Sequence, residues 1–295
     1  MSEYILSTCS TCDLSKSHCE ERNINYVCFH FSINDDSYLD DLGQSMPHSE
    51  FYKVIKNKNI VTKTSQVNIG EYISYFTPFL EAGKDIFHLC MSSGLSGAYT
   101  SAMVAKADLE VQFPERKIYI VDSLAASSGL GLFVDTLADM RDAGASIDEL
   151  KDWALQNRLR FNHWFFATDL TFFVRGGRIS KTAGLVGTVL RICPVLNVDT
   201  EGKLVPVSKV RTRDRAINEL LEKMIENAED GLDYSKKCFI SHSDCIADAE
   251  ILAQAIESKF PKLNGKVLIN NIGTTIGSHS GPGTVALFFF GNERT

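Results

Sequence analysis

The sequence predicts an α/β protein of two domains, a mostly parallel sheet with flanking helices in the first and a mixed α/β arrangement in the second. Three observations predict it. Short apolar runs alternate with amphipathic stretches through the first half of the chain, the signature of βαβ units. A hairpin-like strand pair around Asp199-Thr200-Glu201-Gly202 opens a different pattern in the second half. A length of 295 residues exceeds one ordinary core and suits two.

Taken in order, strands are expected at 4–7, 25–29, 86–91 and 117–121, where β-branched and aromatic residues cluster. Helices are expected at 70–80 and 98–111, and a third opens at Ser146, whose spacing to Glu149 makes a capping box and whose run extends toward Arg160. The domain boundary is placed there, giving 1–160 and 161–295. Beyond it come strands at 164–167, 194–198 and 203–207, a helix over 214–227, a strand at 238–240, a helix over 247–260 and two terminal strands.

Composition removes several function classes. Hydrophobic residues at 44%, charged residues at 23% and a mean hydropathy near zero describe a globular chain. No apolar run approaches the roughly 18 residues a membrane span needs. Residues 1–6 lack the basic start of a signal peptide, so a cytoplasmic location is expected. A net charge of −7 argues against nucleic-acid binding. Charge is uneven, however: between Thr171 and Leu220 nine Lys/Arg face four acids, a local excess of five, which suits either a solvated face or a docking surface for an acidic partner or phosphate. Eight cysteines in such a chain are expected as free thiols. Cys9, Cys12, His18 and Cys19 raise a zinc reading, but a second pair at ligand spacing is missing, so small buried hydrophobes are preferred and no metal is expected.

Four segments carry chemistry. Ser92-Ser93-Gly94-Leu95-Ser96-Gly97 follows an apolar strand and precedes a helix, where free N–H groups and hydroxyls suit an anion, although the same letters serve as a plain cap. Thr64-Ser65 stands before an expected helix, where N-capping is the ordinary role. Gly277-Ser278-His279-Ser280-Gly281-Pro282-Gly283 is expected as a loop between two strands that fixes one imidazole among hydroxyls. Arg175-Gly176-Gly177-Arg178-Ile179-Ser180-Lys181 is a cationic turn without the ending of a phosphate-binding P-loop, so no nucleotide cofactor is indicated.

In order and spacing, Thr64-Ser65-Gln66, the Ser92 to Gly97 segment, Arg175-Gly176-Gly177-Arg178-Ile179 and His279-Ser280-Gly281-Pro282-Gly283 resemble the DegV family, which includes the fatty-acid-binding subunits of bacterial fatty acid kinase. Ile120-Val121-Asp122-Ser123, Pro194-Val195-Leu196 and Lys209-Val210-Arg211 extend the likeness over nearly the whole chain. The resemblance implies a non-enzymatic lipid-binding protein holding one long-chain fatty acid, such as palmitate, in a tunnel between its domains, with no cofactor. By the same resemblance, Thr64 and Ser96 hold the carboxylate, Ser65 and Ser93 support them, and His279 joins the head-group network. A separate ATP-dependent kinase subunit is the implied partner, with Arg178 and Arg211 at its docking surface. The sequence departs from the family pattern at Cys9, Val67, Ala98 and Cys193.

A serine hydrolase is the alternative. Gly94-Leu95-Ser96-Gly97-Ala98 is one residue short of a nucleophile elbow, and Asp122, Asp169 and His279 follow in chain order. It requires a base within hydrogen-bond reach of Ser96. A pure interaction protein using the Arg175 to Arg215 surface is the third reading.

Overall fold

The computed structural model describes residues 4–57, 60–180 and 192–295. In chain order the elements are β1 (Tyr4–Cys9), α1 (Lys16–Glu21), β2 (Ile24–Val27), β3 (Phe29–Ile33), β4 (Asp36–Asp40), α2 (His48–Ile55), β5 (Thr62–Ser65), α3 (Ile69–Glu81), β6 (Asp85–Cys90), α4 (Ala98–Gln112), β7 (Ile118–Asp122), α5 (Ser128–Asp142) and α6 (Ile147–Asn157). There follow β8 (Phe161–Ala167), α7 (Thr171–Arg175), β9 (Ile192–Val198), β10 (Leu204–Arg211), α8 (Arg213–Asn227), β11 (Cys238–His242), α9 (Ile246–Lys259), β12 (Leu268–Asn271), α10 (Thr274–Ser280) and β13 (Thr284–Phe290).

The α/β class holds, with three sheets. Strands β2-β1-β6-β7 form an all-parallel sheet, while β10-β9-β8-β13-β11-β12 form a mixed one. Both capping residues of α6 are in place: Ser146 accepts from the Glu149 amide and the Glu149 carboxylate accepts from Ser146 N. Helix α5 lies between the two large sheets, packed against β1 on one side and β8, β11 and β13 on the other. Its residues from Ser128 through Asp135 are all buried, so the first two turns are enclosed on every side, while Asp139 and Asp142 near its end are exposed.

Three expectations are corrected. Residues 25–29 do not form one strand; the chain breaks at Cys28, leaving β2 in the parallel sheet and sending β3 into a small antiparallel sheet β4-β3-β5. Thr64 and Ser65 do not cap a helix. They belong to β5, paired with Phe31 and His30, and Asn68 is the cap of α3. Finally, the expected loop at 277–283 begins inside a helix, because α10 carries His279 in its last turn. Glycine, serine and threonine have poor intrinsic helix propensity, so tertiary partners make this helix. Asp13 accepts from Gly273 N at 3.0 Å, and Asp40 accepts from Thr274 Oγ1 at 2.9 Å and from the Thr275 amide at 3.3 Å. Buried acids thus satisfy the otherwise orphaned first amides.

Candidate functional site

A cavity of about 570 Å³ lies between the parallel and the mixed sheet, inside the roughly 300–1,000 Å³ range of small-molecule sites. One wall is the mixed sheet, through His163 and Phe165 of β8 and Ala286 and Phe288 of β13. Met91 and Ala126, just past the ends of β6 and β7, form the facing wall, as expected for a ligand site outside the carboxyl ends of parallel strands. One end is polar: Thr64, Ser65, Gln66, Ser93, Ser96, Arg178 and His279 all line it.

Long-range contacts hold this polar end. Ser92 Oγ donates to Gly202 O at 2.8 Å and accepts from Gly94 N at 3.1 Å, which clasps the Ser92 to Gly97 turn beneath the tip of the β9–β10 hairpin. Gly202 has φ +73° and no room for a side chain, since a Cβ there would stand 2.1 Å from Ser92 Oγ. From the other side, Arg178 Nη2 and Nε donate to Leu95 O at 3.1 and 3.3 Å. Ser96 Oγ accepts from Ala98 N at 3.2 Å and keeps its own proton available to a ligand.

Helix α10 packs on β5, and this contact joins the two most distant predicted residues: Thr64 Oγ1 and His279 Nε2 are hydrogen bonded at 2.7 Å. The other ring nitrogen, Nδ1, is buried without a partner. It faces Gly176, where a Cβ would come within 2.1 Å of it. Burial, and then the neighbouring Arg178 charge, lower the His279 pKa to about 4, so the ring is neutral at pH 7.

Thr64, Ser65, Ser93, Ser96, His279 and Arg178 are therefore brought to one end of one cavity. Arg211 is not. It ends β10, whose inner face carries Leu204 and whose outer face carries Val205, Val207, Lys209 and Arg211, so period-two alternation leaves Arg211 exposed and away from the cavity. Lys181 and Arg191 lie outside the described residues.

No hydrolytic relay is assembled among the described residues. Among the described residues, the only hydrogen bond of His279 Nε2 goes to Thr64. Asp122 accepts from the Ser93 and Leu124 amides, and Asp169 accepts from Thr171, so neither acid backs the imidazole. The Cys9, Cys12, His18 and Cys19 grouping also separates. His18 pairs with Asp135 at 2.9 Å, Cys12 lies against Cys19, and Cys9 turns toward β6. All eight cysteines are free thiols.

Sequence reasoning missed His163, Ser127 and Thr275, which also line the cavity. His163 sits in a wholly buried apolar strand, and periodicity alone assigns it to core. Its Nδ1 bonds Phe161 O at 2.8 Å, and burial, with the Arg294 charge adding to it, keeps the ring neutral by lowering its pKa well below the ordinary value.

Fold and cavity together define an α/β protein of two large sheets and one small one, with a largely apolar cavity headed by hydroxyls and a neutral imidazole. The chain belongs to the DegV family: the family model described as an uncharacterised protein, DegV family, matches residues 6–292. A DegV domain-containing protein of Clostridium perfringens is 37% identical over 100% of this chain and 99% of its own length. Among solved structures, a DegV lipid-binding protein of Thermotoga maritima superposes with a TM-score of 0.85 at 27% identity, covering 99% of each chain. A second Thermotoga maritima protein, whose structure revealed a fatty-acid-binding function, gives a TM-score of 0.82 at 27% identity over 98% of this chain and 99% of its own.

Proposed function

We propose that this protein binds one long-chain fatty acid, with the acyl tail in the cavity and the carboxylate at its polar end, and that it is a carrier of the acid rather than an enzyme. Thr64 and Ser96 receive the carboxylate, Ser65 and Ser93 flank it, and His279 anchors Thr64. The observation that carries the reading is the 2.7 Å Thr64–His279 pair, which stands with Ser65, Ser93, Ser96 and Arg178 in the lining of a largely apolar cavity of about 570 Å³. The fatty-acid-binding function of the similar Thermotoga maritima protein supports it.

The energetics are consistent. About 0.8 kcal/mol per buried methylene gives about 12 kcal/mol as an upper limit for roughly 15 of them, before ordering costs. A buried carboxylate without donors costs several kcal/mol, which the hydroxyls and Arg178 offset through charge-assisted hydrogen bonds. In this reading residues 1–160 and 161–295 are two domains closing on the ligand, the protein is cytoplasmic, and a separate ATP-using kinase subunit phosphorylates the presented head group. Arg178 then serves the head group itself, and Arg211, on the exposed face of β10, serves the partner. No helix among the described residues is long and apolar enough to cross a membrane.

Mass spectrometry of organic extracts from purified protein tests the binding step. One equivalent of a roughly C16–C18 acid is expected from the native chain and none from Thr64→Ala/Ser96→Ala. Absence of lipid from the native chain, even after incubation with free fatty acids, rules the reading out. For the kinase step, charge reversal at Arg211 is expected to abolish partner capture while lipid binding persists.

A further inference from the structure

Outside the cavity, the carboxyl ends of β1 and β6 gather a set of side chains that the lipid site does not use. Parallel pairing of Ser7 with His88 and of Thr8 with Leu89 sets Cys9 beside Cys90 on adjacent strands. Cys9 Sγ is 4.0 Å from Cys90 Sγ and 3.7 Å from His88 Nε2, and the three ligand atoms all lie within 4.8 Å of one another. Tyr72 of α3 closes the group from above, its hydroxyl 3.7 Å from Cys9 Sγ and 3.6 Å from Cys90 Sγ. Cys9, His88, Cys90 and Tyr72 are all fully buried.

The Cys9–Cys90 and Cys9–His88 separations match two edges of a tetrahedron around one ion. Zinc bonds of about 2.3 Å to sulfur and 2.0–2.1 Å to nitrogen place two thiolates about 3.8 Å apart and a thiolate about 3.5 Å from an imidazole nitrogen. The histidine is also oriented as a ligand is. His88 Nδ1 is hydrogen bonded to Ser7 Oγ at 2.9 Å, and Ser7 Oγ is bonded in turn to Tyr75 Oη at 2.9 Å. With the proton on Nδ1 donated to Ser7, the Nε2 lone pair is aimed at the Cys9 sulfur, the arrangement that outer hydrogen bonds impose on metal-bound histidines. Charge agrees as well, because two thiolates and a neutral imidazole balance a divalent cation and leave no net charge in an enclosed site.

Plain packing of small thiols is the alternative. It accounts for the sulfurs, whereas the convergence of His88 Nε2, two sulfurs and the Tyr72 hydroxyl on one buried point is also the arrangement of a ligand set. We propose that Cys9, His88 and Cys90, with the Tyr72 hydroxyl as fourth group, bind one zinc-class divalent metal ion that is captured as the chain folds. Its role is structural. Met91 N–H bonds the Cys9 sulfur, and Met91 lines the lipid cavity, so the ion fixes the start of the loop that carries Ser93 and Ser96.

Full-length protein refolded with Zn²⁺ or Co²⁺ and then desalted tests this without reference to lipid. About one ion per chain is expected, with thiolate-to-cobalt charge-transfer absorption in the cobalt form. Cys9→Ser and Cys90→Ser should each lower retained metal at least about tenfold, and Ser7→Ala should weaken affinity roughly 10–100-fold. Cys12→Ser/Cys19→Ser should retain the ion. A chain folded by circular dichroism that holds no metal overturns the proposal, as does metal kept equally by Cys9→Ser/Cys90→Ser. Should those variants not fold, X-ray absorption of the native cobalt form decides: two sulfur ligands are required, and a shell of nitrogen and oxygen alone refutes the site.

Discussion

The two ends of the cavity are built by different rules. Its tail wall is made of strand residues such as Phe165, Ala286 and Phe288, supplied by neighbouring strands whose register fixes them one beside another. The head end takes Thr64 from a short strand of the small sheet, Ser96 from the turn before α4, Arg178 from the turn after α7 and His279 from the last turn of α10. The wall is a periodic surface and tolerates exchange of one apolar residue for another of similar size. The head is a set of single contacts between distant segments, and each depends on the others. Volume should therefore govern the tail, and individual atoms the head.

The largest expected effect is at the tail. Ala286→Phe keeps the residue apolar but fills space that a ligand chain would occupy. Excluding about four methylenes at roughly 0.8 kcal/mol each should weaken fatty-acid binding by about two orders of magnitude, read by isothermal titration on delipidated protein. Unchanged affinity would place the acyl chain elsewhere and remove the contrast between the two ends.

A smaller effect is expected at the head from a residue that touches no ligand. Gly176→Ala places a methyl 2.1 Å from His279 Nδ1, so the ring must shift and its bond to Thr64 lengthen. A loss of about 1–3 kcal/mol in stability and about tenfold in affinity is expected, measured by thermal unfolding and titration. Gly177→Ala is a sharper control for strain: its φ is +73° with open space around it, so it should cost stability and leave affinity intact.

The smallest effect is a titration. His279 has its pKa lowered to about 4 from an ordinary 6.5. The unfolded chain therefore binds the extra proton in that interval, so the stabilisation from this ring is complete above about pH 6.5 and is lost as pH falls toward about 4. A carboxylate seated beside Thr64 favours the imidazolium, so loading with fatty acid should raise the pKa, followed by NMR of the ring protons. Ala286→Phe protein given the same acid should show no such rise. A pKa unmoved by loading of the native chain would mean that the carboxylate lies away from His279.

The same contrast explains what could be read from the residues alone. Strands β1, β6 and β7, the helices beside them and the capping box at Ser146 follow from local periodicity and cap chemistry, which act within a few residues. The residues at the polar end of the cavity were legible one by one as unusual hydroxyls, glycines and a single histidine. Their joint meaning came from the order of four motifs, since no short segment contains a site. Cys9 shows the limit of spacing. The Cys-x-x-Cys pattern pointed to Cys12, yet strand pairing turns Cys9 toward Cys90, 81 positions along the chain.

The sequence by itself determined the α/β class, the alternation of elements and the identity of nearly every polar residue at the cavity end, because these depend on local propensity and on side-chain chemistry. Tertiary structure decided the small sheet carrying Thr64, the helical state of the segment before His279 and the separation of Arg178 from Arg211. Each of these rests on contacts the chain makes only when folded: Phe31 beside Thr64, Asp13 and Asp40 at the start of α10, and the alternation of β10 that turns Arg211 outward. Such contacts join residues far apart in sequence, and a local reading cannot carry them.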